Sequence, residues 1–167
     1  MSDWIEAERI LKYLKGTAEM ILVYEARGKR LVGYSDASLG RTDVEGKSTT
    51  GCLIKLYGDA VAWKTEKQRN VATSSMESEY VAMSRTAKLL MRIDILKERL
   101  LKDKNKSTLM CDNKAAISAA KTEMSKSLMH LGKLDFHFLR NTHKEKALKI
   151  VWVSTKDQLA DIQTKGL

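Results

Sequence analysis

One long amphipathic stretch, set between two groups of β-rich segments, constrains this chain more than any other feature. Met76, Tyr80, Met83, Ala87 and Leu90 step by four and three residues, and Ile93, Leu96 and Leu100 carry the stripe on. That spacing predicts a helix from about Ser74 to Leu101 with one apolar face. Ser74 or Ser75 can cap it, and Glu77 and Glu79 put negative charge at its positive end. Before it, Met20–Glu25 and Leu31–Ala37 read as a hairpin joined through Gly28. Thr49–Tyr57 and Ala60–Lys64 flank a Gly58-Asp59 turn. After it come a charged loop at Lys102–Lys106, a strand at Thr108–Cys111, a helix from about Asn113 and a basic helical segment over 126–145. A strand at Leu148–Val153 and a short helix at Lys156–Thr164 close the order. An antiparallel meander followed by strand–helix alternation predicts an α/β fold, a mixed sheet with helices packed on it. Trp4, Ala7, Ile10, Leu11 and Leu14 mark a further helix over residues 3–16, closed by Gly16. Met76, Met83, Trp63 and Trp152 are expected in the core.

Composition supports one domain. The chain has 167 residues, 43% of them apolar, and no proline, which excludes a disordered basic tail and a proline-rich tether. Cys52 and Cys111 are too few for a disulfide scaffold and lack metal-ligand spacing. They are expected as buried thiols in a reducing compartment. No apolar run approaches a membrane span and the amino terminus has no signal-peptide pattern, so the protein is expected to be soluble and intracellular. Thirty basic against 21 acidic residues give a net charge of +9, which favours a polyanionic partner.

Four carboxylates stand where a basic protein could gather them. Asp36 lies towards the end of LVGYSDAS, and Asp112 directly follows a strand and precedes a helix. Glu79 lies in the first turns of the long helix, and Asp161 lies in the closing helix. If the two strands are neighbours, Asp36 and Asp112 are about 5–10 Å apart, and packed helices could add Glu79 and Asp161. Carboxylates that close would take up protons unless a cation sat among them. Oxygen ligands suit Mg²⁺ or Mn²⁺, and two such ions about 3.5–4 Å apart can drive phosphodiester hydrolysis. The same residues also fit helix capping and dipole pairing, and spacing alone leaves both readings open.

LVGYSDAS, GKSTTGCLIKL, AWKTEKQRNVATSSMESEYVAMS, CDNKAAI, HFLR and STKDQLADIQTK occur together and in order. With them the chain resembles the ribonuclease H domain of Ty1/copia-type retrotransposon polyproteins, over nearly its whole length. The resemblance implies a ribonuclease H-like fold with a mixed five-stranded sheet, three antiparallel strands then parallel ones, flanked by helices. It implies an extra N-terminal helix and strand over residues 1–28, from the reverse transcriptase junction, ahead of the ribonuclease H domain at 29–167. It also implies a metal-dependent endonuclease that hydrolyses the RNA strand of RNA·DNA hybrids. Asp36, Glu79, Asp112 and Asp161 match the family's catalytic and metal-binding acids, with two Mg²⁺ or Mn²⁺ ions per site. Glu77 is the alternative helix ligand. By analogy Asp36 bridges both ions, Asp161 completes the nucleophile side, and Glu79 and Asp112 hold the leaving-group side.

Ser74, Ser75, Asn113 and Lys114 match positions that touch the hybrid, where 2′-hydroxyls mark the RNA strand. Lys114 stands where the family more often has Gln, and Gln163 where Phe is usual. In the basic segment, Lys126, Lys133, Arg140 and Lys144 are candidates to hold phosphates, the other reading being a solvated face. His130, His137 and His143 read as packing or surface groups rather than ligands. The expected partners are the hybrid and a reverse transcriptase domain met through the N-terminal helix, with the isolated domain a monomer and no membrane. The expected address is a cytoplasmic retrotransposon particle or the nucleus. Without polymerase, integrase or protease signatures, the chain is expected to be an excised domain or a free-standing derivative. The rival reading is a domesticated, weakly active or inactive module that binds nucleic acid or a protein.

Overall fold

Hydrophobic alternation and tight turns fold the first half of the domain into a meander, seen in a computed structural model that describes residues 2–28, 30–40, 45–122, 133–145 and 147–165. Strands β1 (Leu31–Ser38), β2 (Thr49–Leu56) and β3 (Asp59–Lys67) pair antiparallel, with Leu31 opposite Leu56 and Leu56 opposite Asp59. That last pairing puts the turn at Tyr57-Gly58, one residue earlier than the sequence suggested. Both residues have positive φ, 52° and 99°, as a hairpin turn that matches strand twist requires.

Helix α2 (Ser75–Leu101) crosses back over the sheet to β4 (Ser107–Cys111), which lies parallel to β1. Helices α3 (Lys114–Lys121) and α4 (Lys133–Lys144) lead to β5 (Leu148–Trp152), parallel to β4. The sheet order β3-β2-β1-β4-β5 is the mixed five-stranded arrangement expected. The closing helix is instead two 3₁₀ turns, Thr155–Asp157 and Asp161–Gln163. Between them Gln158 is buried and donates to Ser35 O at 2.9 Å, an anchor that interrupts a continuous helix.

The α2 stripe makes the core. Tyr80, Met83, Ala87 and Leu90 are buried against Leu31, Ile54 and Leu109, and each large side chain contributes about 1.5–3 kcal/mol. Gly33 lets the helix come this near: a Cβ there would stand 3.2 Å from Thr86 Cγ2 and 3.3 Å from Leu90 Cδ2. Met76 packs at the core's margin. Leu96 and Leu100, expected to continue the stripe, are exposed. Beyond Leu90 the buried group is Lys97, whose ammonium is held by Asp94 at 2.9 Å and Asn105 O at 2.5 Å.

Two further expectations fail, the N-terminal strand with its hairpin and the burial of the two tryptophans. Met20–Glu25 forms no strand and Met20–Tyr24 are exposed, so the extra N-terminal strand and its hairpin are absent. Beyond its apolar part the segment is tied to the start of β3, where Glu25 N and Ala26 N donate to Asp59 Oδ2 at 2.9 and 2.7 Å. Helix α1 (Ser2–Gly16) forms, but Trp4, Ile10, Leu11 and Leu14 are solvent-exposed. Trp63 and Trp152 are 56% and 47% exposed because β3 and β5 are the sheet's edges. Cys52 and Cys111 are buried free thiols, as expected. Among the described residues no helix is long and apolar enough to cross a membrane. Lys126, His130 and the upstream part of the 126–145 segment lie outside the described residues.

Candidate active site

The parallel register sets the first pair of acids. Tyr34 lies opposite Met110, so continuing two residues along both strands brings Asp36 beside Asp112 at a strand spacing of about 4.8 Å. Helix α2 supplies the third. Ser74 caps it, its Oγ accepting from Glu77 N at 3.2 Å. Glu77 turns back, and its Oε2 accepts from Thr73 N at 2.5 Å and Thr73 Oγ1 at 2.7 Å. This reciprocal cap occupies Glu77. Glu79, half a turn on, faces the sheet instead: ligand atoms of Glu79, Cys111 and Asp112 all lie within 4.8 Å of one another. The alternative of Glu77 as the third acid is therefore not what the geometry favours.

Asp161 comes from the last 3₁₀ turn, docked on β2 at Gly51. A Cβ on Gly51 would meet Thr164 Cγ2 at 2.7 Å, Gln163 Cβ at 2.8 Å and Ala160 O at 2.9 Å. Only the missing side chain lets the turn sit so near. Gln163 fastens it to β3: its side-chain and backbone oxygens accept from Thr65 Oγ1 at 2.7 and 3.0 Å. Gln163, where the resemblance leads one to expect Phe, is thus a polar tether of the turn to β3.

Electrostatics describe one shared site. Burial, then the charges of Asp36 and Asp112, push the Glu79 carboxyl up to about 9, against a backbone hydrogen bond from Ala37. Asp36 is also raised, first by burial, although a hydrogen bond from Thr164 Oγ1 opposes it. Asp112 Oδ2 accepts from Thr155 Oγ1 at 2.9 Å, and Asp112 O from Trp152 Nε1 at 3.0 Å. Lys165, largely exposed at the rim, pairs with Asp161. Thr155, Thr164 and Lys165 are site residues that sequence reasoning does not single out, and Trp152 is expected only in the core. For Thr164 and Lys165 the available signal is a hydroxyl and a cation three and four residues after Asp161.

The donor set suits a divalent cation. Oxygen ligands are hard, and a like-charged cluster is relieved by a cation among its members. The Cys111 thiol, 4.0 Å from Glu79 Oε2, is pushed up to about 12 by burial and the neighbouring Glu79 charge, which keeps it protonated. His137 and His143 lie on α4, outside the Glu79–Cys111–Asp112 group.

No protein-family model matches the chain. It is 34% identical over 166 residues, 98% of its length, to the retrovirus-related Pol polyprotein from transposon RE2 of Arabidopsis thaliana. It is 30% identical over 162 residues to that from transposon TNT 1-94 of Nicotiana tabacum. The chain is homologous to a segment of Ty1/copia-type retrotransposon Pol polyproteins. It spans 11% and 12% of the length of these relatives. Its fold is that of LC11-RNase H1, isolated from compost: TM-score 0.57, 16% identity, 80% of this chain and 91% of that one. The same protein in complex with an RNA/DNA hybrid gives a TM-score of 0.56 at 15% identity, over 79% and 91% of the two chains.

The remaining candidates fall around the carboxylates unevenly. Ser74 and Asn113 are caps, with Asn113 Oδ1 accepting from Ala116 N at 3.0 Å. Ser75 is exposed at the α2 N-terminus. Lys114 Nζ lies 4.7 Å from the centre of the Trp152 ring, a cation–π contact on the Asp112 side of the cluster. Lys133, Arg140 and Lys144 belong to α4, of which Lys144 is exposed and Arg140 half-buried.

Proposed function

We propose that this chain is a ribonuclease H that hydrolyses the RNA strand of RNA·DNA hybrids. The observation that carries the reading is the meeting of Asp36, Glu79, Asp112 and Asp161 in one electrostatically coupled group. The ribonuclease H fold and the Pol relatives support it from a separate direction. The relative solved with an RNA/DNA hybrid supports that substrate class.

Asp36, Glu79, Asp112 and Asp161 would hold two divalent cations, Mg²⁺ or Mn²⁺. Bound there, such ions activate a water and neutralise charge on the leaving oxygen. Thr155 and Trp152 fix the orientation of Asp112, and Thr164 that of Asp36. Water adds to the scissile phosphorus, the P–O3′ bond breaks, and the 3′ oxygen leaves as a hydroxyl opposite a 5′-phosphate. Ser74, Ser75, Asn113 and Lys114 border the RNA strand in this reading, and Lys126, Lys133, Arg140 and Lys144 the DNA phosphates. The boundary between extension and nuclease domain falls near residue 28. The exposed apolar face of α1 supports a docking role for that extension, against a reverse transcriptase domain of the same polyprotein. The nuclease acts in this reading as a monomer inside a retrotransposon particle or nucleus.

The test incubates the protein with Mg²⁺ and labelled hybrid, duplex DNA or duplex RNA, beside Asp112→Asn. Cleavage of the hybrid alone, lost in the variant, supports the assignment. Binding without cleavage supports the rival reading of an inactive nucleic-acid module.

A further inference from the structure

We propose that a basic groove between β3 and α2, outside the carboxylate cluster, binds the phosphate backbone of a nucleic-acid duplex as a second contact. It consists of two adjoining hollows of about 280 and 210 Å³ that share Glu66, Arg85 and Lys88. Lys67 and Arg69 line one, and Lys64 and Arg92 line the other. Among the described residues that line them, six are cations and one, Glu66, is a carboxylate.

The helix spacing makes the groove directional. Arg85, Lys88 and Arg92 follow one another at three and four residues, so they stand in a row on one face of α2. At 1.5 Å per residue the row runs about 9 to 20 Å along the axis from Glu79. Phosphates on one strand recur about every 3.4 Å, so the row matches backbone roughly three to six nucleotides from the reacting phosphate.

The cations are also held in place. Glu66 pairs with Lys64, and its Oε1 accepts from Arg85 Nη1 at 3.0 Å. Arg85 Nη1 also donates to Lys67 O at 3.4 Å. These cations hold the Glu66 carboxyl below its usual range in spite of burial, so it stays ionised as their anchor. Lys88 Nζ stands 5.3 Å from the centre of the Phe138 ring. A guanidinium fixed beside ammonium groups in a concave surface, with excess positive charge, is complementary to phosphodiesters rather than to a neutral or cationic ligand.

The identity of the ligand rests on the nucleic-acid reading above, and binding measured without metal keeps the two separable. The affinity of the full chain for an RNA·DNA hybrid of about 20 base pairs is measured in EDTA at several salt concentrations. The groove variant Lys64→Gln/Lys88→Gln/Arg92→Gln is compared with Arg9→Gln/Lys12→Gln/Lys15→Gln on α1, which removes the same charge. The groove variant is expected to flatten the slope of log affinity against log salt by about two to three, the control by less than one. Equal slopes for the two variants would overturn the proposal, leaving only the general field of a basic protein. Thermal melting of each variant, with the single change Arg92→Gln as the mildest case, guards against misfolding. A slope unchanged in Arg92→Gln and in the triple variant likewise rejects the groove. Loss of cleavage by the unaltered protein with its salt slope intact would count against the nuclease and not against the groove.

Discussion

Trp152 donates its indole N–H to the backbone carbonyl of Asp112 at 3.0 Å, from an edge strand where nearly half of the residue is exposed. An exposed tryptophan on a sheet edge has little packing to contribute. Its hydrogen bond, with that from Thr155 to the same residue's carboxylate, orients the acid instead. Trp152→Phe keeps an aromatic ring beside Lys114 and removes the indole N–H together with part of the ring. It should lower stability by about 1 kcal/mol and reduce kcat more than it raises KM. Steady-state kinetics with urea unfolding checks this, and an unchanged kcat would remove Trp152 from the positioning of Asp112.

Gly51→Ala tests the seat of Asp161. Its new methyl would overlap a backbone oxygen as well as two side-chain carbons, so the 160–164 turn must move. Overpacking of this kind typically costs about 1–3 kcal/mol. Thermal melting should show that loss, and cleavage should fall by more than tenfold while hybrid binding in EDTA persists. Full activity would mean that the turn's position is not what brings Asp161 to the site.

The metal-free protein should lose stability as pH rises between about 4.5 and 9. Glu79 holds its proton in the folded state up to about 9, whereas the unfolded chain releases it near the ordinary value of 4.5. The unfolded state therefore binds fewer protons in that window, and the free energy of unfolding falls by at most about 1.4 kcal/mol per pH unit for this group. Asp36, also raised, acts in the same direction. Urea unfolding in EDTA should show the decline, and added Mg²⁺ should stabilise more at about pH 8 than at about pH 5. Stability that rose across this range would contradict the coupled cluster.

Cys111 touches the cluster without belonging to its hard donor set. Its protonated thiol predicts that Cys111→Ala keeps hybrid cleavage in Mg²⁺ within a fewfold. In the unaltered protein, alkylation of this buried group should be slow until unfolding. A hundredfold loss in the variant would make the sulfur a ligand, and rapid alkylation of the folded protein would contradict its buried, protonated state.

What the sequence disclosed, and what it hid, follows from range. The α2 stripe as far as Leu90, the Ser74 cap and the β1–β3 meander are local patterns, and these formed close to where the sequence puts them. The acids at strand ends and in the first helical turns were legible because periodicity fixes where such positions fall. Met20–Tyr24 has strand-like residues but no neighbour to pair with, and alternation cannot reveal a missing partner. Trp63 and Trp152 were misjudged because which strands become edges depends on sheet order, a property of the whole chain. Thr164 and Gly51 acquire meaning only when the closing turn meets β1 and β2, more than a hundred residues away in the chain.

The most direct measurement is single-turnover cleavage of a labelled RNA·DNA hybrid in Mg²⁺ by Asp36→Asn, Glu79→Gln, Asp112→Asn and Asp161→Asn, each verified as folded. Four acids serving one centre predict that every substitution slows cleavage at least about a hundredfold, while Glu77→Gln retains most of the rate. Retained cleavage in any of the four, or a loss confined to Glu77→Gln, would contradict the account.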